Sequence, residues 1–176
     1  DSLSFPTYGK DGHWQTRSSR DWVSGFYGGC LWYAYALTGR QDFESLARKW
    51  TMAIEEEKYN THTHDLGFRF MCTFGSGIRF SPDEAFQSFC RDIRDTAAVT
   101  LSKRFHPEFG ALSSDWDRKP IEGTTPCVID IMMNLEILFE AALSTGDHTL
   151  YEIATKHADT TWDDFVRPDG GTYHIV

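Results

Sequence analysis

The sequence lacks the short motifs that identify the commonest catalytic and cofactor-binding sites. It has no GxSxG, P-loop, GxGxxG or HExxH segment, so a serine hydrolase, a nucleotide-dependent enzyme and a zincin-type metalloprotease are not supported. None of its four cysteines forms a CxxC pair, so a structural zinc site is not expected either. Because each cysteine lies in an apolar helical context, we expect all four to be buried free thiols. They are Cys30, Cys72, Cys90 and Cys127.

Basic residues and long apolar runs are also scarce. The 17 Lys and Arg residues against 26 Asp and Glu residues give a net charge of −9, which argues against a nucleic-acid partner because phosphate binding requires clustered positive charge. No apolar run is long enough for a membrane span, so no membrane partner is predicted. Residues 1–20 contain no hydrophobic signal region, and cytoplasmic and periplasmic locations both stay open because a leader could precede this numbering.

Apolar residues recur at helical spacing along most of the chain, which predicts an all-α fold. Thr-Gly pairs stop two helices, a Ser-Pro-Asp-Glu segment starts another, and Gly75 and Gly77 are expected to break the third. Residues 1–20 are expected to be an irregular lead-in, and residues 106–126 a loop. The predicted helices cover residues 25–37, 42–56, 66–73, 83–105, 131–143 and 148–165.

A weak internal repeat indicates that the helices pair as αα-hairpins. Residues 36–50 resemble residues 142–158, and each segment joins two helices through a Thr-Gly turn. Residues 77–86 read as a degenerate third copy. Stacked hairpins bury their apolar faces against their neighbours, and three hairpins form only an arc of such an array. The chain is therefore expected to be part of a longer protein.

One acid, Asp130, lies in a stretch that is otherwise apolar from Pro126 to Asn134. If this stretch is a buried helix, an ionised carboxylate there is costly unless it is paired, and such a perturbed carboxylate suits acid/base catalysis. The alternative is that Asp130 caps a helix that begins at Ile131. Spacing alone favours the cap.

A second polar cluster occurs in the segment THTHDLGF, residues 61–68. Its two histidines, His62 and His64, could ligate a metal, but no third and fourth ligands lie nearby in the sequence, so a metal is not predicted. Asp65 is either a helix N-cap or a second carboxylate that faces Asp130.

Two tryptophans and two further histidines are candidates on weaker grounds. Trp22, after Asp21 at the start of the first helix, is either a core residue or an exposed ring for a sugar face, and the two alternatives are equal. Trp116, in the long loop, could line a cleft. His174 and His157 would by default be a surface residue and a half-buried helix residue.

Four segments in order resemble the unsaturated glucuronyl hydrolases, glycoside hydrolase family 88. They are DWVSGFYGGCLWYAYALTG, THDLGF, VIDIMMNLEILF and HADTTWDDFVRPDGGTYHIV. The resemblance implies a six-hairpin (α/α)6 toroid. Residues 1–176 would be a single partial domain, roughly the first half of the toroid, and the missing C-terminal half would be its partner. The resemblance implies hydrolysis of oligosaccharides that carry a 4,5-unsaturated uronic acid, with no metal or cofactor. The sister family, the unsaturated rhamnogalacturonyl hydrolases, matches these segments less well.

The resemblance also assigns residues to roles. It implies that Asp130 is the catalytic acid/base, that Asp65 is the second carboxylate and that His64 precedes it as in the family. Trp22 would stack on the substrate and His174 would contact it. The residue after the acid is Ile131, where the family often has Asn, and a later family motif that holds the uronate lies beyond Val176. A non-catalytic αα-repeat binding module and an incomplete, poorly folding piece are the remaining alternatives.

Overall fold

The chain begins with a β-hairpin where the sequence predicts an irregular lead-in. In the computed structural model, which describes residues 3–114 and 126–176, strand β1 (Phe5–Lys10) pairs antiparallel with β2 (His13–Arg17). The turn residues Asp11 and Gly12 have φ angles of 50° and 75°. This Asp-Gly pair with positive φ at both positions is the turn that matches the twist of a two-residue hairpin.

Helices make up most of the remainder, and they follow one another along the chain as three αα-hairpins. A 3-10 turn (Glu55–Tyr59) lies between the first and second hairpins, and two short antiparallel strands, β3 (Phe105–His106) and β4 (Ala111–Leu112), lie between the second and third. The helices are α1 (Ser24–Thr38), α2 (Gln41–Met52), α3 (Leu66–Phe70), α4 (Ser76–Phe80), α5 (Glu84–Ser102), α6 (Ile131–Asn134), α7 (Glu136–Thr145) and α8 (His148–Phe165).

Two predicted helix ends are confirmed in detail. Gly39 and Gly146 close α1 and α7 in the left-handed conformation, with φ angles of 67° and 75°. Their backbone N–H groups donate to Tyr35 O and Ala142 O, which satisfies carbonyls that the last helical turn leaves free. Both turns allow the next helix to fold back against the previous one, so α2 packs on α1 and α8 packs on α7.

The prediction that Gly75 and Gly77 break the third helix is wrong. A π-helical turn (Met71–Gly75) connects α3 directly to α4, so helical backbone runs from residue 66 to residue 80. A Cβ at Gly77 would lie 2.9 Å from Cys90 Sγ and 3.5 Å from the Trp32 ring. Gly77 is therefore explained by close packing against other helices rather than by a helix end.

Both α3 and α4 pack against α1, and α3 also packs against α6 and α7. A Cβ at Gly25 would lie 2.5 Å from Arg69 O, and one at Gly29 would lie 3.0 Å from Cys72 O, so glycines allow α1 to approach the α3–α4 segment closely. The core beneath is apolar and fully enclosed; its largest members include Phe5, Ile54, Leu66, Phe70, Phe74, Leu101, Leu112, Ile131 and Ile137.

The cysteines depart in part from expectation. All four are free, and Cys90 and Cys127 are buried, but Cys72 is half-buried and Cys30 is exposed. Among residues 3–114 and 126–176, no helix combines the length and the apolarity needed to cross a membrane.

Candidate active site

Asp65 and Asp130 occupy equivalent positions, each directly before a short helix. Asp65 is the N-cap residue of α3 and Asp130 is the N-cap residue of α6, yet neither side chain accepts a capping hydrogen bond. The alternative that these carboxylates serve as helix caps is therefore wrong at the level of the side chain. Both are left available for contacts outside their own helices.

His64 lies between the two carboxylates. Its Nε2 atom is 3.3 Å from Asp65 Oδ1 and 3.3 Å from Asp130 Oδ2, and its side chain is only 1% exposed. One carboxylate oxygen of Asp65 and one of Asp130 lie within 4.8 Å of each other. At this separation two negative charges repel, so the charge of Asp130 is one of the causes that raise the pKa of Asp65.

The two carboxylates differ in their environment. The Asp65 side chain is 12% exposed and that of Asp130 is 37% exposed, so the expectation that Asp130 is the buried acid is wrong. Burial is the main cause that raises the pKa of Asp65, and the charge of Asp130 raises it further; His64 and a hydrogen bond from Thr63 oppose this. Asp130 is consequently the carboxylate that solvent or a substrate can reach.

Thr63 is a site residue that the sequence analysis missed. Its hydroxyl donates to Asp65 Oδ2 at 3.0 Å and accepts from the backbone N–H of Asp65, also at 3.0 Å. The hydroxyl thus orients the carboxylate relative to its own backbone. The signal for this role is a threonine two residues before an aspartate, a spacing typical of turn-forming side chains.

An aromatic cluster includes Phe68, which lies three residues after Asp65. Trp22 is 52% exposed, and its ring centroid lies 5.9 Å from that of Phe26 and 6.0 Å from that of Phe68. Of the two alternatives for Trp22, the exposed ring is the one that the structure supports. The Asp21 carboxylate accepts a hydrogen bond from the N–H of Val23, the N-cap residue of α1. This bond holds the turn that carries Trp22 into the helix.

The C-terminal segment runs next to the residues that precede Asp130. Val128 forms an antiparallel bridge with Ile175, and the N–H of Ile129 donates to His174 O at 3.0 Å. The backbone of His174 is thereby hydrogen-bonded to the residue directly before Asp130, and His174 is exposed. Trp116 lies outside the described residues.

The histidine and the two carboxylates of the site are also candidate metal ligands. In the part of the chain that the structure describes, His64, Asp65 and Asp130 form the one group whose donor atoms lie close enough to share an ion. The histidine nitrogen and carboxylate oxygens would suit a divalent transition metal.

Comparisons with known proteins show which proteins the chain resembles. No protein-family model matches the chain. The sequence is 39% identical over 158 residues to an unsaturated glucuronyl hydrolase from Formosa agariphila, covering 90% of this chain and 38% of that protein. The fold matches the crystal structure of an unsaturated glucuronyl hydrolase specific for heparin with a TM-score of 0.85 and 32% identity, over 100% of this chain and 45% of that one. The chain is a relative of the unsaturated glucuronyl hydrolases.

More distant relatives carry related names. An unsaturated chondroitin disaccharide hydrolase from Streptococcus pneumoniae is 25% identical, over 97% of this chain and 43% of that protein. Unsaturated glucuronyl hydrolases are (α/α)6 toroids, and this chain has the fold of part of one, which confirms the predicted fold class. The chain spans about two-fifths of the length of the curated relatives that it matches.

Proposed function

We propose that the whole protein is an unsaturated glucuronyl hydrolase and that this chain supplies its catalytic carboxylates. The observation that carries the proposal is the pair of Asp65 and Asp130, joined by His64 at the starts of two helices, in a relative of these enzymes. Residues 1–176 would form a single partial domain, and the remaining hairpins of the toroid would complete the substrate site.

The substrate would be an oligosaccharide with a 4,5-unsaturated uronic acid at its non-reducing end. Support comes from relatives whose names specify glucuronyl or chondroitin disaccharide substrates, and from a solved neighbour in complex with dGlcA-Glc-Rha-Glc. These names favour a glucuronyl substrate over the rhamnogalacturonyl alternative.

The reaction would be a hydration rather than a direct displacement at the anomeric carbon. The C4=C5 bond is an enol ether, so a proton added to C4 leaves a cation at C5 that the ring oxygen stabilises. Asp130 would give that proton, because it is the exposed carboxylate of the cluster. The Asp130 carboxylate would then take a proton from the water that attacks C5, which restores its protonated form. The resulting hemiketal opens and releases the rest of the oligosaccharide.

The other residues would bind and orient the substrate. Trp22 would stack on the sugar ring, since its ring is exposed and is backed by Phe26 and Phe68. His64 would hold Asp65 and Asp130 in register, and His174 would contact the substrate from the strand beside Asp130. Trp116 stays a candidate for the cleft wall. No step needs a metal, so turnover should persist in EDTA.

The test measures loss of the ultraviolet band of unsaturated disaccharides, because hydration destroys the conjugated double bond. The full-length protein is incubated with disaccharides from chondroitin, heparin and pectin. Asp130→Asn should reduce turnover by roughly 10²- to 10⁴-fold with little change in melting temperature. Asp92→Asn, the same chemical change at an exposed position on α5, should leave turnover unchanged.

Two results would contradict the proposal. Turnover near the wild-type rate in Asp130→Asn would exclude Asp130 as the acid. A band that persists with all three disaccharides would favour a non-catalytic module that binds sugars through its exposed aromatic side chains.

A further inference from the structure

The helices that follow the two carboxylates, α3 and α6, pack closely against each other at Gly67 and Asn134. A Cβ at Gly67, in the first turn of α3, would lie 2.4 Å from Asn134 Cα and 2.7 Å from Asn134 O. Real Cβ atoms do not approach backbone atoms that closely. Glycine at this position is therefore a condition for α3 and α6 to lie as near each other as they do.

A hydrogen bond spans the same contact. Phe68 is the third residue of α3, so its backbone N–H has no acceptor inside the helix. The side chain of the N-cap residue normally accepts from this position. Here Asn134 Oδ1 accepts instead, at 2.8 Å, although Asn134 lies 66 residues away along the chain.

Asn134 thus performs the task that local geometry would give to Asp65. Asp65 occupies the N-cap position, yet its carboxylate contacts His64 and Thr63 rather than the N–H groups of α3. Asn134 is completely buried, and its Nδ2 also points to Asp130 O at 3.4 Å. One amide side chain therefore contacts both segments that carry the carboxylates.

We propose that Asn134 is a positioning residue that caps α3 from α6 and thereby leaves the Asp65 carboxylate free to face His64 and Asp130. The effect of Asn134 on catalysis rests on the proposed function. The capping of α3 by Asn134 does not depend on it. Without the amide oxygen, the half-buried Phe68 would have a backbone N–H that loses its acceptor, and such a loss is costly. The Asp65 carboxylate is the nearest acceptor in the capping position, so it would turn toward Phe68 and away from His64.

Kinetics of the full-length protein test this role. Asn134→Ala should lower kcat for an unsaturated disaccharide by roughly 10- to 100-fold with little change in KM, as expected when a charged group beside the reacting acid is misplaced by about 1 Å. Thr100→Ala removes a buried hydroxyl whose hydrogen bond stays within α5, so it is the control and should leave kcat unchanged. Asn134→Asp keeps an acceptor oxygen and should retain roughly tenfold more kcat than Asn134→Ala.

A double-mutant cycle separates positioning from general damage. If Asn134 acts through Asp65, the variant Asn134→Ala/Asp65→Asn should be no slower than Asp65→Asn alone. Losses in kcat that multiply across the two sites would overturn the proposal, because they would show that Asn134 acts independently of Asp65.

A crystal structure of the Asn134→Ala variant provides a readout that does not depend on activity. The expected result is an Asp65 carboxylate within hydrogen-bond distance of the Phe68 N–H. An Asp65 side chain that remains on His64 would overturn the proposal. If the wild-type protein consumes no unsaturated disaccharide, the proposed function fails, while the orientation of Asp65 in this variant still decides the role of Asn134. If Asn134→Ala does not fold, Asn134→Asp is crystallised, and its new carboxylate should accept from Phe68.

Discussion

Lowering the pH from 7 to 4 should destabilise the protein through His157. This residue lies on α8 and is completely buried, and its Nδ1 accepts a hydrogen bond from the N–H of Leu112 at 3.0 Å. An Nδ1 that accepts a hydrogen bond carries no proton, so the folded protein holds this imidazole in its neutral form. Burial lowers the pKa of His157 from 6.5 to about 4.

The size of the effect follows from the difference in pKa between the two states. The folded pKa lies below the unfolded one, so the unfolded chain binds more protons between these values and stability rises with pH. The shift from 6.5 to about 4 corresponds to about 3 kcal/mol of unfolding free energy. This contribution is fully present above about pH 6.5, is lost progressively as the pH falls, and is reduced by about 2 kcal/mol at pH 5.

Urea denaturation of the full-length protein at several pH values between 7 and 4.5 measures this slope. His157→Asn places an uncharged acceptor near the Leu112 N–H and should remove the part of the pH dependence that belongs to His157. His148→Asn, at an exposed position at the start of the same helix, should leave the dependence unchanged. A difference in unfolding free energy between wild type and His157→Asn that stays constant from pH 7 to pH 5 would refute the reasoning.

Two further predictions concern the surroundings of the site. Glu57→Gln should lower the free energy of unfolding by about 3 kcal/mol in urea denaturation, because it removes the carboxylate 2.9 Å from the completely buried Arg69 guanidinium. Glu56→Gln, one residue earlier and exposed, should change it little, and equal losses would contradict the argument. Trp22→Ala should raise KM for an unsaturated disaccharide about tenfold, equivalent to about 1.4 kcal/mol, and lower kcat less. Trp14→Ala, at an exposed site in β2, is the control, and an unchanged KM in Trp22→Ala would exclude stacking by Trp22.

Signals that act within a few residues predicted the ends of α1 and α7 and the start of α5. Gly39 and Gly146 end their helices as expected, and Asp83 caps α5 by accepting from the N–H groups of Ala85 and Phe86. The same kind of signal was present for the N-terminal hairpin, since Asp11-Gly12 is a strong turn pair.

The errors in the helix prediction arise from tertiary packing. Gly77 was expected to break a helix because glycine is a weak helix former, whereas its lack of a side chain makes room for Cys90. A one-dimensional pattern does not distinguish a glycine that ends a helix from one that admits a neighbouring helix.

The candidate site illustrates the same limit. Spacing favours Asp65 and Asp130 as helix caps, and both do occupy N-cap positions. What frees Asp65 from capping is Asn134, which is distant in sequence and meets α3 only in the folded chain. The resemblance to a known family could assign the two carboxylates, but local sequence rules could not identify the amide that replaces one of them as a cap.

The buried charge of Arg69 affects the Asp65 carboxyl as well as the stability of the fold. Burial is the main cause that raises the pKa of Asp65, and the nearby Arg69 charge opposes it. Glu57 contacts Nη2 of this guanidinium at 2.9 Å, and the same nitrogen donates to the carbonyl of Ser19, so a negative charge faces Arg69 directly. Without Glu57, the unbalanced guanidinium would act more strongly on Asp65 and would favour its ionised form. The buried Glu57–Arg69 ion pair, which includes neither proposed catalytic carboxylate, therefore helps to set the pKa of Asp65.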